Sequence, residues 1–527
     1  MSETVTLTID DREVAVPKGM AVIEAARRIG IEIPSYCYHP HLSIAGNCRM
    51  CLVEIDKAPK LQIACSTQVA DNMRVRTSSK KVLEARAGVM EFLLINHPLD
   101  CPICDQAGEC RLQEYSLAHG RGYSRFALDK EHRRKNVDLG PHVVFDEERC
   151  IKCTLCIRFC EEVSKTSELA LFNRGDQAII GTFPGRELDN PYSGNTVDIC
   201  PVGALTLREF RFQSRLWFLE QKASVCAGCA RGCNVCLWSR DGRIFRITPR
   251  ENAEVNQVWI CDEGRLSYQP LVSRERVLEP LVAGQPAGWK EAIRSAAALL
   301  RGAGKESPPR VGVIVSPRAT LEDLALLRRL CDQTSATTGL VAIERGEDDA
   351  LLIRKDKSAN WAGARLLGFE RAASEVLQAG AGGRLDVLYV MEEELFGPAA
   401  SQQEANLARA AVEKVPALVV HGSFRDRVPT GAQVVLPAAV YGEFEGTYIN
   451  FEGRAQRVRS AVMRAGRCRT HLAILASVAL EAGWGPWPDD PASAWKQAQE
   501  LAPPLAPVSY ESVGLRGVMI PGKGTGA

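Results

Sequence analysis

The sequence predicts a multidomain protein of α/β and α+β class, and three observations carry that prediction. Two alternating apolar runs and a helical stripe open the chain, cysteines at regular spacings crowd its first half, and short apolar runs alternate with helical patterns through its second half. At 527 residues, 46% of them hydrophobic, the chain is long enough for several cores.

At the N-terminus, Val5, Leu7 and Ile9 alternate with polar residues, Asp10-Asp11 marks a turn, and Val14 and Val16 alternate again. This is a hairpin signal. Val22, Ala26 and Ile29 recur at helical spacing, with Gly30 placed to end the helix. A hairpin followed by a helix opens a β-grasp domain. Val82, Leu83, Ala87, Met90 and Leu94 give a second helical stripe, from Ser79 to about Ile95, closed by Pro98 and delivering His97 just past its end. Two compact ligand-rich regions follow, around residues 142–210 and 219–265. Beyond them the apolar runs Val311 to Val315, Val387 to Val390, Ala417 to Val420 and Val434 to Val435, with a helical pattern from Leu321 to Leu330, predict a largely parallel sheet with helices. Gly/Pro-rich breaks at Gly302 to Pro309, Ala379 to Gly383 and Pro486 to Pro491 read as surface loops.

Composition removes several functional classes. With 65 basic and 64 acidic residues the formal net charge is +1, which gives no long-range attraction for nucleic acid or anionic lipid. The start, MSETVTLTID, has neither a basic nor an apolar leader segment. Uncharged apolar runs fall short of the ~18 residues a membrane span needs, and the run from Val428 to Gly442 is broken by Pro429 and Pro437. Without an export signal, clustered cysteines point to metal or redox chemistry in a reducing compartment rather than to disulfides.

Seventeen of the 19 cysteines lie in the first 261 residues, and fifteen of them plus one histidine sort into four groups. The first is Cys37-x10-Cys48-x2-Cys51-x13-Cys65. Four thiolates suit a 2Fe-2S cluster, two per iron, and the first gap is longer than in plant-type ferredoxins. A zinc knuckle is the competing reading. The second group is His97-x3-Cys101-x2-Cys104-x5-Cys110. Taken alone, its three thiols and one imidazole suit a zinc ion nearly as well as a 4Fe-4S cluster, and its neighbours favour the cluster.

The third group, Cys150-x2-Cys153-x2-Cys156-x3-Cys160, resembles one ferredoxin run, but Glu161 stands where proline is expected. The proline comes later, in Cys200-Pro201-Val202-Gly203-Ala204, and no cysteine lies between 161 and 199. A second ferredoxin motif is therefore read as having lost three ligands. Cys150, Cys153, Cys156 and Cys200 then hold one 4Fe-4S cluster, and Cys160 remains as a small buried hydrophobe. The fourth group is Cys226-x2-Cys229-x3-Cys233-x27-Cys261, also at 4Fe-4S spacing. Cys236 is supernumerary, and Cys331 and Cys468 read as core residues.

No G-x-G-x-x-G after a strand, no P-loop and no substrate-sized catalytic constellation is evident, so no catalytic residue is assigned. Nucleotide and flavin binding is expected on another chain.

In Ser35 to Val53, Asn96 to Glu109 and Ser193 to Leu205 the sequence closely resembles the G-subunit family of NADH-quinone oxidoreductase, the large iron-sulfur subunit of respiratory complex I. A weaker likeness, Gly442 to Val458, is to molybdopterin oxidoreductases. The resemblance implies five domains: a β-grasp 2Fe-2S ferredoxin-type domain (1–80), a 4Fe-4S domain with one histidine and three cysteine ligands (81–122), a 4Fe-4S ferredoxin-like domain with a degenerate second motif (140–212), a molybdopterin-oxidoreductase-type 4Fe-4S domain (219–275), and a shortened molybdopterin-oxidoreductase-like α/β domain (276–527). It implies one 2Fe-2S and three 4Fe-4S clusters, no molybdopterin, and FMN and NADH on a partner flavoprotein. It also implies a small ferredoxin-like 4Fe-4S partner among other peripheral-arm subunits. Electrons would run from the 2Fe-2S site to the Cys150 group, then to the His97 group and on toward quinone, with the Cys226 group off that path. Location would be peripheral, on the cytoplasmic side of a bacterial inner membrane, attached through partners. The alternatives are an iron-sulfur subunit of an NAD-linked hydrogenase or of a formate dehydrogenase, and a zinc-rich scaffold.

Overall fold

The computed structural model describes residues 3–302, 306–391, 393–396 and 401–521. They divide into two compact units, Met1–Phe218 and Leu219–Ala527.

The first unit opens with the expected hairpin. Strands Thr4–Ile9 and Arg12–Pro17 pair antiparallel with Ile9 opposite Arg12. The two connecting residues, Asp10 and Asp11, take φ of 44° and 62°. Two successive left-handed residues make the turn whose twist matches the strands it joins, and aspartate tolerates that conformation. Helix Val22–Arg28 buries Val22, Ile23, Ala25 and Ala26, and Gly30 ends it at φ +75°. The sheet order is Arg12–Pro17, Thr4–Ile9, Arg74–Arg76, Leu52–Ile55, Gln62–Ile63, with Thr4–Ile9 parallel to Arg74–Arg76. Leu7, Ile9, Val16, Val53 and Val75 form the core beneath it.

Helix Lys80–Leu94 is capped by Ser79, whose Oγ accepts from the Val82 N–H at 3.4 Å. Its buried face is Val82, Arg86 and Met90, and Leu83 of the expected stripe is exposed. The rotation is explained by Arg86, which points inward and donates to the Leu52 carbonyl at 3.0 Å. Further on, strands Val137–Asp138, Val143–Phe145 and Leu205–Leu207 form an antiparallel sheet, and Leu169–Phe172 with Ile179–Thr182 a separate hairpin.

The second unit begins with an antiparallel sheet of Glu220–Val225, Asn234–Arg240 and Arg243–Pro249. A seven-stranded sheet follows in the order Gln285–Pro286, Leu281–Val282, Val434–Pro437, Ala417–Gly422, Val387–Val390, Val311–Val315, Thr337–Leu340. Its last five strands are parallel. Apolar runs without alternation are what a strand covered on both faces requires, which is why this sheet was legible. The helix expected from Leu321 runs to Thr334 and starts with a reciprocal Thr320–Asp323 capping box.

Of the three expected breaks, 303–305 lie outside the described residues. The break at Ala379 to Gly383 is mostly helix, Ala373–Ala381. Gly380 sits there because helix Gln402–Lys414 passes close: a Cβ on it would meet Ala411 Cβ and Val415 Cγ2 at 3.1 Å. The glycine serves packing rather than a turn. Among the described residues, no helix is long and apolar enough to cross a membrane.

Candidate metal centres

All 19 cysteines are free. In the first group the β-grasp fold makes two pairs. Leu52 opposite Ile63 joins the strand after Cys51 to the strand before Cys65, and the Ala64 N–H donates to the Cys51 carbonyl at 2.9 Å. Cys51 and Cys65 thiols are hydrogen-bonded to each other, as are those of Cys37 and Cys48. The bond from Cys37 brings Cys48 down to about 5, and the bond from Cys65 likewise lowers Cys51. Two adjacent pairs, each with one thiol shifted toward the thiolate, suit a rhomb that takes two ligands per iron.

In the second group His97, Cys101, Cys104 and Cys110 line one small cavity with Pro98, Asp100, Arg149 and Gly203. Burial, then the Arg149 and Lys130 charges, lowers His97 to about 4, so its imidazole is neutral and its lone pair free for a metal. Arg149 is itself buried, and donates to Asp100 Oδ2 through Nε at 3.2 Å and Nη2 at 2.8 Å.

The third group is assembled by the three-stranded sheet. Leu205 lies opposite Phe145, and Asp146 N–H donates to the Ala204 carbonyl at 2.8 Å, which sets Cys200 beside the Cys150 loop. The Cys200 charge acts on Cys150, Cys153 and Cys156 alike. Lys152 and Thr154, at φ 54° and 62°, curl the loop inward. Cys160 falls in a π-turn, Phe159–Val163, fully buried, and burial followed by the Glu168 charge pushes it up to about 12. The segment that would carry the missing ligands has a polar network instead, in which Glu168 accepts from the Asn190 backbone at 3.1 Å and Thr166 Oγ1 at 2.8 Å.

The fourth group closes the hairpin of the second unit. Val225 pairs with Asn234, and the Cys226 N–H donates to the Cys233 carbonyl at 2.8 Å. Cys261 caps the short helix Asp262–Arg265, with the Gly264 N–H on its Sγ at 3.3 Å. A Cβ on Gly264 would stand 3.0 Å from Cys226 Sγ and 3.4 Å from Cys261 Sγ.

One feature recurs across the groups. The amide two residues after the cysteine donates to its sulfur at Cys48, Cys104, Cys110, Cys150, Cys153, Cys200, Cys226 and Cys229, the donors being Met50, Gln106, Leu112, Lys152, Leu155, Val202, Gly228 and Arg231. Such amides favour the thiolate and tune a bound cluster. Burial works against them, pushing Cys150 and Cys261 up to about 12. A buried thiolate therefore needs a cationic partner, which iron supplies. Among the described residues no three His, Cys, Asp or Glu side chains converge as a single ion requires. In a cubane each ligand sits on a different iron, so its donors stand further apart.

Cys236 lies on strand Asn234–Arg240, buried, and Cys331 in the core of the α/β sheet. Cys468 donates to the Val277 carbonyl at 3.3 Å. Spacing alone missed Arg86, Arg149, Arg158 and Gly203, which act on these groups through tertiary contacts.

The second unit also holds a cavity of about 610 Å³, bordered by Gly228 and Glu263 of the fourth group's loops and by Arg274, Arg318, Arg345, Arg427, His421 and His471. This is the size for one drug-sized ligand. Among the described residues the lining offers cationic, imidazole, hydroxyl and carboxylate groups and no thiol.

Five family models match the chain: a 2Fe-2S iron-sulfur cluster binding domain at residues 2–80, an NADH-ubiquinone oxidoreductase-G iron-sulfur binding region at 86–125, an NADH-quinone oxidoreductase subunit 3 ferredoxin-like domain at 140–206, a molybdopterin oxidoreductase Fe4S4 domain at 219–271, and molybdopterin oxidoreductase at 356–481. These domain types stand in the order the sequence predicts. The NADH-quinone oxidoreductase G subunit of Streptomyces coelicolor is 43% identical over 329 residues, 61% of this chain and 38% of that one. NADH dehydrogenase (ubiquinone) iron-sulfur protein 1, mitochondrial, of Solanum tuberosum is 43% identical over 298 residues, 55% of this chain and 40% of that one. The matches therefore span less than half the length of these relatives. A solved chain of an NAD+-reducing NiFe-hydrogenase in the H2-reduced state is 28% identical, with 40% of this chain and 91% of that one covered at a TM-score of 0.36.

Proposed function

We propose that the chain belongs, by its iron-sulfur domains, to the G-subunit family of NADH-quinone oxidoreductase, and that it relays single electrons from an NADH-oxidising flavoprotein partner toward quinone. The relay sites are a 2Fe-2S cluster on Cys37, Cys48, Cys51 and Cys65, and 4Fe-4S clusters on Cys150, Cys153, Cys156 and Cys200, and on His97, Cys101, Cys104 and Cys110. Cys226, Cys229, Cys233 and Cys261 hold a further 4Fe-4S cluster off the path. A small ferredoxin-like subunit receives the electrons. The chain carries no molybdopterin and attaches to the cytoplasmic face of the membrane through its partners.

The observation that carries this reading is the contiguity of three ligand groups within the first unit. Arg158 Nη2 donates to the Cys37 carbonyl at 2.7 Å and to the Cys153 carbonyl at 3.3 Å, joining the first group to the third. Gly203 of the Cys200 loop packs on Cys104, joining the third to the second. Bound clusters supply one-electron exchange. The chain's residues fix their separation, exclude water and aim amides at the sulfurs. Neutral His97 in place of a thiolate makes its site less negative and raises its potential, which suits a late position in the relay.

Anaerobically purified protein tests the reading. It should contain iron and acid-labile sulfide without stoichiometric molybdenum, and show one 2Fe-2S signal besides 4Fe-4S signals on reduction. Zinc without sulfide overturns it, and molybdopterin redirects it to formate chemistry.

A further inference from the structure

Arg158 is buried, 8% exposed, in the short helix Leu155–Arg158. Its whole guanidinium is engaged. Nη2 donates to the carbonyls of Cys37 and Cys153, Nη1 to the carbonyl of Ser43, and Nε to Thr154 Oγ1 at 3.4 Å. All these acceptors are uncharged oxygens, and two belong to cysteines of different groups. A buried cation is costly unless anionic charge lies near. Here anionic charge comes from Glu162, whose carboxylate faces Ser43 at the same seam, and from the thiolates, four on each side once loaded. Two further links cross the same seam: Asn47 Nδ2 donates to the Lys152 carbonyl at 3.3 Å, and the Ser43 N–H to Glu162 Oε2 at 2.7 Å. Neither brings a positive charge to it.

We propose that Arg158 is a positioning residue for electron transfer, clamping the Cys37 loop to the Cys153 loop and raising the potentials of both clusters together. The proposal rests on the ligand reading above. Adding an electron makes each cluster more negative, so a fixed cation within the seam favours the reduced state of both. A planar fork reaching four acceptors holds the two loops at one distance, which an ammonium on a flexible stem would not.

The test is an EPR-monitored redox titration of the full chain, purified anaerobically, as wild type, Arg158→Gln and Arg158→Lys. In Arg158→Gln the midpoints of the 2Fe-2S cluster and the all-cysteine cubane of the first unit should both fall, while those of the His97 cubane and the Cys226 cubane stay. In Arg158→Lys the midpoints should stay near wild type, while the spin-relaxation enhancement between the two clusters weakens as the seam loosens. Midpoints unmoved in Arg158→Gln, or moved for one cluster only, overturn the proposal while leaving the ligand reading intact. A wild type lacking either cluster overturns both. Should Arg158→Gln not fold, Arg158→Lys decides alone: relaxation enhancement as in wild type overturns the clamp. Asn47→Ala is the control, expected to shift neither midpoint.

Discussion

Gly203 lies so close to Cys104 that a Cβ built on it would stand 2.2 Å from the cysteine's Sγ. Its φ is not in the left-handed region, so glycine is needed for space rather than for conformation. Gly203→Ala should displace Cys104 from the cavity it shares with His97, Cys101 and Cys110 at an overpacking cost of about 1–3 kcal/mol. The expected outcome is loss of the His97 cubane signal and its iron, with the 2Fe-2S signal retained, read by EPR and iron analysis.

The two cysteines of the degenerate ferredoxin motif should behave oppositely. Cys200 acts on all three of Cys150, Cys153 and Cys156, whereas Cys160 acts among them on Cys156 and is buried next to Glu168. Cys200→Ser should therefore remove one cubane signal, and Cys160→Ser should leave every cluster in place. The reverse pattern would overturn the ligand set.

His97→Cys exchanges a neutral imidazole for an anionic thiolate in the same cavity. Iron content should be unchanged, and the midpoint of that cubane should fall by on the order of 100 mV. A rise, or no shift, would show that His97 is not a ligand.

What could be read from sequence was whatever is set by neighbours along the chain. The Asp10-Asp11 turn, the Ser79 cap and the buried runs of the parallel sheet are each fixed by local sterics or burial. The spacing that sorts the cysteines into four groups is likewise a local constraint. The seams between them are not. Arg158 reaches a carbonyl 121 residues away, and Arg149 an aspartate 49 residues away, and no periodicity marks either. Gly380 misled because a glycine that admits a neighbouring helix looks the same in sequence as one that ends its own.

Glu322 ties the second unit's stability to pH. It is wholly buried at the start of helix Leu321–Thr334 and accepts from Thr447, at 2.8 Å from both N–H and Oγ1. Burial raises it to about 7, outweighing the Thr447 bonds that favour the carboxylate. An acid raised on folding binds its proton more tightly folded than unfolded. Its contribution is therefore full below its unfolded value of about 4.5 and is lost as pH rises through about 7. The loss should reach about 3 kcal/mol. Glu322→Gln keeps an acceptor for the Thr447 N–H and a donor for its hydroxyl without a titrating proton. Thermal unfolding of the full chain should show wild type losing Tm between pH 5 and 8 relative to Glu322→Gln. Parallel profiles for the two proteins would show that Glu322 does not titrate in this range.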